Sequence, residues 1–420
     1  MTLATLSERE IVYTLVALAM LLAFAYVVGT IFEKIKAPRV VGEITGGILL
    51  GGTCLFALFP DFIGNIFMAY EQEGKVLNIF YQLGLIFLMF LSGYNTKLKV
   101  DKKNAVTISC LFVGATVISM LCAIPFINVF KTWFIGSDAN EVSFGLVFVI
   151  GIAITSIPVI SKIFFEMGIM NTNFSNTVLT VATFQDLCLW ILLNTATQIA
   201  TTGEIKLLDM IFVVILTLGL FVVIKVISDR VKTIGRKVKA IHFYSVSFTA
   251  LLLTCALLSM IGINIMYAAF LVGYVVKAFV GVDSETKNRM ESLGNFVFSF
   301  FIPIYFALVG IQLNLLHNFS PVRFILFFIV AFGLEAVGTL IMLHFTKLNR
   351  QTRINLAVTM NARGGPGIVL ATTAYSYGII SIEFFTVLIL TTMLSSMIAG
   401  YWLRRQQKKN ETIFTNMTKQ

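Results

Sequence analysis

Thirteen apolar runs, each long enough to cross a lipid bilayer, occupy most of the 420-residue sequence. A transmembrane α-helix needs about 20 predominantly apolar residues. The runs, called spans 1 to 13, fall near residues 11–32, 40–58, 76–94, 105–128, 143–165, 175–199, 208–228, 242–261, 264–280, 292–312, 322–346, 354–378 and 384–403. This pattern predicts an all-α polytopic membrane protein with a membrane domain over residues 1–403.

The composition agrees with a chain that has lipid as its solvent. Hydrophobic residues make up 58% of the sequence and charged residues 12%, about half the 25% of a soluble globular chain. The five cysteines lie in apolar stretches without a CxxC pair, which is typical of buried apolar residues. We find no nucleotide-binding loop, nucleophile elbow or zinc motif. We therefore expect no enzymatic activity, no cofactor and no nucleic-acid partner.

The basic residues predict how the chain is oriented in the membrane. Of the 31 Lys and Arg residues, 25 fall at the ends of spans 1, 3, 5, 7, 9 and 11, in the loops that follow them, or in the C-terminal tail. Loops rich in Lys and Arg stay in the cytoplasm. We therefore expect a multi-pass protein of the plasma (inner) membrane with its N-terminus outside. Residues 404–420 would form a short, basic cytoplasmic tail that is disordered at its end.

Two spans carry residues that interrupt a helix at mid-membrane. Span 5 reads GIAITSIPVISKIF and contains Thr155, Ser156 and Pro158. A proline inside a helix removes a backbone hydrogen bond and breaks or kinks the helix. Span 12 reads MNARGGPGIVL, and its polar or helix-breaking residues are Asn361, Arg363, Gly364, Gly365, Pro366 and Gly367. Irregular backbone at this depth is tolerated only when it is buried in protein or lines a cavity.

The spacing of the two breaks predicts an internal repeat. They lie seven spans apart, and because seven is odd, span 12 runs opposite to span 5. Residues 11–199 and 242–403 would then form two inverted halves joined by a linker helix over 208–228. Paired discontinuous helices in inverted halves indicate a transporter with its site at the midplane. Two unrelated proline kinks are the alternative.

Span 6 places a carboxylate, Asp186, in an otherwise apolar helix. A charged side chain at a helix centre costs roughly 2.5–3.5 kcal/mol to insert, a cost accepted for an ion site or for a static salt bridge. Arg363 is the one basic residue near the middle of a span and thus the candidate partner for such a bridge. As an ion site, Asp186 would hold either a proton or a cation. Thr155, Ser156 and Gln185 could contribute oxygens, and one titrating acid favours electroneutral exchange.

Several motifs resemble one family of transporters along residues 35 to 400. They are PRVVGEITGGILLG (38–51), LIFLMFLSG (85–93), TSIPVISKIF (155–164), FQD (184–186), AAFLVGYVV (268–276), FIPIYFALVG (301–310) and MNARGGPGIVL (360–370). Together they look like the bacterial monovalent cation:proton antiporters, which have the sodium/hydrogen exchanger fold and include the glutathione-gated potassium efflux and spore-germination sodium/proton proteins.

The resemblance implies a homodimer in which a six-helix core, about residues 105–199 and 322–403, moves as an elevator. It makes Asp186 the ion-binding acid, with Thr155 and Ser156 in one broken helix and Asn361–Gly367 in the other. One departure concerns span 11, where many relatives have a lysine three residues before a glycine. This chain has Glu335 there, before Gly338. Glu335 is then either a second intramembrane carboxylate of the site or a stabilising partner of Arg363.

The sequence therefore favours a secondary transporter that exchanges protons for Na⁺ or K⁺. A potassium efflux system resembling a channel is one alternative, and a non-transporting ion sensor with the same fold is another. Residue types do not distinguish Na⁺ from K⁺, because the two ions differ in the size of the site that they require.

Overall fold

The chain forms a bundle of α-helices in its computed structural model, which describes residues 6–95, 104–137, 139–170, 172–203, 215, 219, 243–280, 284–409 and 414. Within these residues no β-strand forms, apart from a single bridge between Ile135 and Ile380. The predicted all-α class is confirmed. Span 7, predicted over 208–228, falls almost entirely outside the described residues.

The remaining predicted spans coincide with helices, several of them split. In chain order the helices are α1 (Glu8–Lys34), α2 (Arg39–Leu50), α3 (Leu55–Leu58), α4 (Pro60–Phe67), α5 (Glu71–Asn95), α6 (Ala105–Phe112), α7 (Ser119–Phe134), α8 (Glu141–Ile152), α9 (Ile157–Glu166), α10 (Asn173–Thr202), α11 (Phe243–Met260), α12 (Ile265–Val280), α13 (Ser284–Ser299), α14 (Phe301–Ile311), α15 (Pro321–Leu343), α16 (Arg350–Met360), α17 (Gly365–Ser376) and α18 (Ile382–Lys409). A π-helical segment, Val113–Ile118, joins α6 to α7.

Nine helical stretches of the described chain are long and apolar enough to cross a membrane, and two shorter apolar helices, Tyr244–Met260 and Ile265–Lys277, accompany them. Span 12, which is divided between α16 and α17 and carries Asn361 and Arg363 at its break, is not among the nine. The protein is therefore a multi-pass membrane protein. The four predicted spans outside this set are span 12, the short spans 8 and 9, and span 7, which lies almost entirely outside the described residues.

Local side chains close the helix ends. At the start of α1, the Glu10 backbone N–H donates to Ser7 Oγ, and the Ser7 N–H donates to the Glu10 carboxylate at 2.7 Å. Thr172 Oγ1 accepts from the Ser175 N–H at 3.2 Å to begin α10. Gly203 ends that helix with a φ of 72°, a left-handed conformation that glycine adopts readily. The residues that set these helix boundaries therefore lie next to the boundaries in the sequence.

The described chain separates into two compact units. Unit 1 takes its residues from Met1–Asn95, Leu220–Ser259 and Ala268–Asn318, and unit 2 takes its residues from Thr96–Gly219, Met260–Tyr267 and Phe319–Gln420. In unit 1, helices α1, α2, α5 and α14 pack closely through glycines. A Cβ added at Gly47 would overlap the carbonyl oxygen of Ala307, and one at Gly310 would overlap that of Ile44. Small residues let helix backbones approach each other in membranes.

Gly93→Ala, in α5, is expected to lower the free energy of unfolding by about 1–3 kcal/mol, because overpacking a filled interface forces backbone shifts. A Cβ at Gly93 would overlap the carbonyl oxygen of Phe270. Gly74→Ala in the same helix is the control, since a Cβ there would meet nothing within 4 Å. Thermal unfolding in detergent should separate the two variants, and equal midpoints would contradict this close packing.

Unit 2 contains α6 to α10 and α15 to α18, and two clusters of buried side chains lie within it. One cluster is aromatic and comprises Phe130, Phe134, Phe144, Phe148, Phe327 and Phe384. The other is at the C-terminal end of α9, where Phe414 is buried against Phe174 with ring centroids 4.9 Å apart. The expected disorder at the end of the tail therefore does not apply to Phe414. Span 13 was predicted to end at 403, but α18 continues to Lys409.

Candidate functional site

Span 5 is broken as predicted, and a serine caps the second half. Helix α8 ends at Ile152 and α9 begins at Ile157, with non-helical backbone between them. Ser156 is the residue before α9, and its Oγ accepts from the Val159 N–H at 3.4 Å. Pro158 lies in the first turn of α9, where its missing N–H costs nothing because that group would have no helical partner.

Span 12 is broken in the same way. Helix α16 ends at Met360, and α17 begins at Gly365 with Pro366 in its first turn. A Cβ at Gly364 would lie 2.5 Å from Ser156 Oγ. Glycine is therefore required here by the close approach of the two broken spans.

The two breaks bond directly to each other. The Ser156 N–H donates to the carbonyl oxygen of Ala362 at 2.8 Å. Thr155 Oγ1 donates to the carbonyl oxygen of Met360 at 2.5 Å, and Arg363 Nη2 donates to that of Ile152 at 2.8 Å. Backbone groups that lose their helical partners must find others inside a membrane. Each broken helix supplies the partners that the other lacks.

Gly364→Ala is expected to disturb this crossing, since the added methyl group has no free space. We expect a lower thermal midpoint together with reduced transport, because the residues around Ser156 would shift. Gly333→Ala in α15 is the matched control, because a Cβ at Gly333 would meet nothing within 4 Å. Thermal unfolding and flux measured on both variants check this expectation, and a Gly364→Ala protein that behaves like the control would contradict it.

A buried ion pair lies beside the crossing. Arg363 Nη2 is 3.1 Å from Glu335 Oε2, and the two side chains are 1% and 0% exposed. The same Nη2 also donates to the carbonyl oxygen of Ala331 at 3.2 Å. Thr155 Oγ1 is 3.3 Å from Glu335 Oε1, but its single proton serves the shorter contact with Met360. Of the two interpretations of Glu335, the geometry matches a partner of Arg363.

Asp186 lies on α10, with its carboxylate buried in unit 2. Its side chain is 1% exposed, and neither carboxylate oxygen has a partner among the described residues. Its neighbour Gln185 donates from Nε2 to the carbonyl oxygen of Ala153, so this turn of α10 lies against the break in span 5. Arg363, the candidate for a static salt bridge with Asp186, is paired with Glu335 instead.

Two amide oxygens add to the acceptors at this site. One amide atom of Gln185 contacts the carbonyl oxygen of Ala153, and one amide atom of Asn361 contacts that of Ala357 at 3.1 Å. A carbonyl oxygen can only accept, so the contacting atoms are the nitrogens Nε2 and Nδ2, and the other two amide atoms are the oxygens. Gln185 Oε1 and Asn361 Oδ1 are both buried and unpartnered in the described chain. The sequence analysis assigned Asn361 only to the broken helix. An amide at the last residue before a predicted break is the signal that would have suggested a ligand.

The oxygen atoms of Asp186, Gln185 and Asn361 are of the chemical type that binds cations. Carboxylate and carbonyl oxygens are the ligands of hard cations. No group of three or more His, Cys, Asp or Glu residues able to hold a metal ion occurs among the described residues. Of the two hydroxyl groups that we expected to contribute oxygens, that of Thr155 donates across the crossing to Met360, and that of Ser156 accepts from Val159 at the start of α9.

Comparisons with known proteins agree with this architecture. The chain is 26% identical to the Na⁺/H⁺ antiporter NhaS4 of Synechocystis over 94% of its length and 97% of the relative. It is 23% identical to the Na⁺/H⁺ antiporter of Enterococcus hirae, over 90% of this chain and 94% of the relative. It is 25% identical to K⁺/H⁺ antiporter 1 of Saccharomyces cerevisiae over 87% of its length, but it spans only 43% of that longer protein.

A solved structure shares the fold. The sodium proton antiporter MjNhaP1 of Methanocaldococcus jannaschii superposes with a TM-score of 0.69 at 16% identity, covering 95% of this chain and 97% of that one. The family described as sodium/hydrogen exchanger, transmembrane, matches residues 19–408. The resemblance read from the motifs is thereby confirmed. This chain belongs to the sodium/hydrogen exchanger family of transmembrane transporters.

Proposed function

We propose that the protein exchanges protons for a monovalent cation, Na⁺ or K⁺, across the membrane, and that Asp186 binds the two ions in turn. The observation that carries this proposal is a carboxylate at mid-helix that is 1% exposed and has no described protein partner. Such a group is costly unless it binds an ion. The names of the relatives, which are Na⁺/H⁺ and K⁺/H⁺ antiporters, support the same activity.

One titrating acid makes the exchange electroneutral in this proposal. Gln185, next to Asp186, is neutral, and the charge of Glu335 is offset by Arg363 at 3.1 Å. Asp186 would therefore carry one cation across the membrane in one direction and one proton in the other. Gln185 and Asn361 would contribute amide oxygens to the cation, with Thr155 and Ser156 holding the crossing in shape.

Transport also requires that Asp186 face each side of the membrane in turn. All of the proposed site residues belong to unit 2. We propose that this unit contains the moving six-helix core of an elevator and that the protein works as a homodimer, as the family resemblance implies. The proposed orientation in the plasma membrane, with the N-terminus outside and the C-terminus in the cytoplasm, follows from the basic loops.

Exchange should be insensitive to membrane voltage. With the protein in liposomes that contain a trapped pH dye, we expect Na⁺ or K⁺ added outside to drive protons out, and the more effective cation identifies the substrate. The final gradients at zero and at 100 mV should be equal. One net charge per cycle would instead shift the gradient by about 50-fold, because 100 mV is worth roughly 2.3 kcal/mol per charge. Such a shift would overturn one-for-one exchange.

A further inference from the structure

We propose that the π-helical segment of span 4, Val113–Ile118, holds Glu335 in register with Arg363, and that Ser119 is a positioning residue for this pair. The proposal rests on the proposed function, because the pair matters for transport only if the protein exchanges ions at Asp186. Its starting observation is a close contact between this segment and the turn of α15 that carries Glu335. One hydroxyl group and two glycines make the contact.

The π-helical segment differs from the helices on either side of it by one extra residue in its turn. Backbone hydrogen bonds in a π-helix join residues five apart rather than four, and most π-helices are single turns, frequently at functional sites. Both α6 before it and α7 after it are ordinary α-helices. Span 4 therefore carries one residue more than a continuous α-helix would need, and this residue changes which groups of span 4 face α15.

The π-turn brings Gly114 and Ser119 to the same side of span 4. In an α-helix of about 3.6 residues per turn, five residues rotate through about 500°, which places the fifth about 140° away from the first. In a π-turn, residues five apart lie nearly above one another. The side chain of Ser119 follows this geometry, since its Oγ donates to the Gly114 carbonyl oxygen at 2.8 Å. Ser119 is fully buried.

Both residues contact α15 next to Glu335. A Cβ added at Gly114 would lie 2.7 Å from the carbonyl oxygen of Gly338, and one added at Gly338 would lie 2.7 Å from that of Gly114. Ser119 Oγ is also 3.3 Å from the carbonyl oxygen of Leu334. Gly338 follows Glu335 by three residues, so the two lie on one face of α15. Span 4 therefore fixes the depth and the rotation of this turn.

The ion pair tolerates little movement of α15. Arg363 Nη2 is 3.1 Å from Glu335 Oε2. The same nitrogen donates to the Ile152 carbonyl oxygen at 2.8 Å, at the break in span 5. A slip of one residue along a helix is about 1.5 Å, which is enough to break contacts of this length. Because Arg363 is two residues from Asn361, the slip would also displace the amide oxygen that we propose as a cation ligand.

Deleting Val117 removes the extra residue. Val117 lies within the π-turn and is 40% exposed, so its loss should let residues 105–134 close into one α-helix while α6 and α7 keep their present neighbours. Ser119 would then no longer face α15 together with Gly114. We expect the thermal midpoint in detergent to stay within a few degrees of the wild type. The apparent KM for the transported cation, measured from the rate of the trapped pH dye, should rise several-fold.

Three further variants separate positioning from general damage. Deleting Val129, which is 52% exposed in α7, should lower the thermal midpoint strongly, because it rotates the residues after it by about 100° out of their aromatic cluster. Ser119→Ala, which keeps the length of span 4, should raise the apparent KM as the deletion of Val117 does. Ser109→Ala, which changes an exposed serine in α6, should leave the apparent KM unchanged.

A protein without Val117 that folds and transports with the wild-type apparent KM would overturn the proposal. If this deletion fails to fold, Ser119→Ala decides the question in the same way. Failure of the proposed function gives a different result, in which the wild-type protein moves no protons and thermal unfolding becomes the readout. Ser119→Ala should then lower the midpoint less in a Glu335→Gln background than in the wild type, because coupled residues are not additive. Equal shifts in the two backgrounds would overturn the positioning role.

Discussion

Asp186→Asn should reduce cation-driven proton movement in proteoliposomes to the level of protein-free liposomes. An amide neither takes up a proton nor carries the negative charge that a desolvated cation requires. The shape of the side chain is nearly unchanged, so α10 and the contact between Gln185 and Ala153 should persist. The measurement is the response of the trapped pH dye to added Na⁺ or K⁺.

Stability provides an independent readout for the same variant. Burying a charged residue at a helix centre costs roughly 2.5–3.5 kcal/mol, and the described chain gives Asp186 no partner that would offset this cost. The Asp186→Asn protein should thus be at least as thermostable as the wild type. Lost activity with an unchanged or higher thermal midpoint would assign the loss to ion binding.

Glu141→Gln is the matched control, because it makes the same chemical change in an exposed side chain that bonds to Lys131 at 2.9 Å. It should transport at the wild-type rate. Full activity in Asp186→Asn would overturn the proposed site. A well-inserted wild-type protein that moves no protons in response to either cation would instead favour the non-transporting sensor.

Glu335→Gln should destabilise the folded protein strongly, by about 3–5 kcal/mol, because it leaves the guanidinium of Arg363 buried without its counter-charge. The pair is almost fully buried, so solvent cannot replace the lost carboxylate. The thermal midpoint in detergent should fall by roughly 10 °C. This is the largest loss of stability that we expect from any single side-chain change described above.

The double variant Glu335→Met, Arg363→Met should recover most of this stability, since replacing both members of a buried pair by apolar groups is often neutral or better. Arg323→Gln is the control, because it removes a partner of Glu383 from a partly exposed pair, a change worth about 1 kcal/mol or less. Equal midpoints for Glu335→Gln and Arg323→Gln would contradict a strongly coupled pair. A double variant that folds well but moves no protons would show that the Glu335–Arg363 pair is needed for transport as well as for stability.

The sequence determined the elements of this protein well. In lipid every backbone group must be satisfied within its own helix or by buried protein, so spans appear directly as apolar runs. Their breaks appear as residues that a helix cannot hold, such as Pro158 and Pro366. Asp186 was also noticeable in the sequence, because a carboxylate in an apolar span requires an ion or a charged partner. The π-helical segment Val113–Ile118 had no comparable signal and was missed.

Tertiary structure alone decided how these residues pair. Arg363 bonds to a carbonyl 211 positions away at Ile152 and to a carboxylate 28 positions away at Glu335. Nothing in the residue types separated Glu335 as a partner of Arg363 from Glu335 as a second acid beside Asp186. Helix formation depends on neighbours in sequence, whereas the partner of a buried charge depends on which helices cross at that depth. The sequence thus located the breaks and the acid, and the packing of unit 2 determined which groups satisfy one another there.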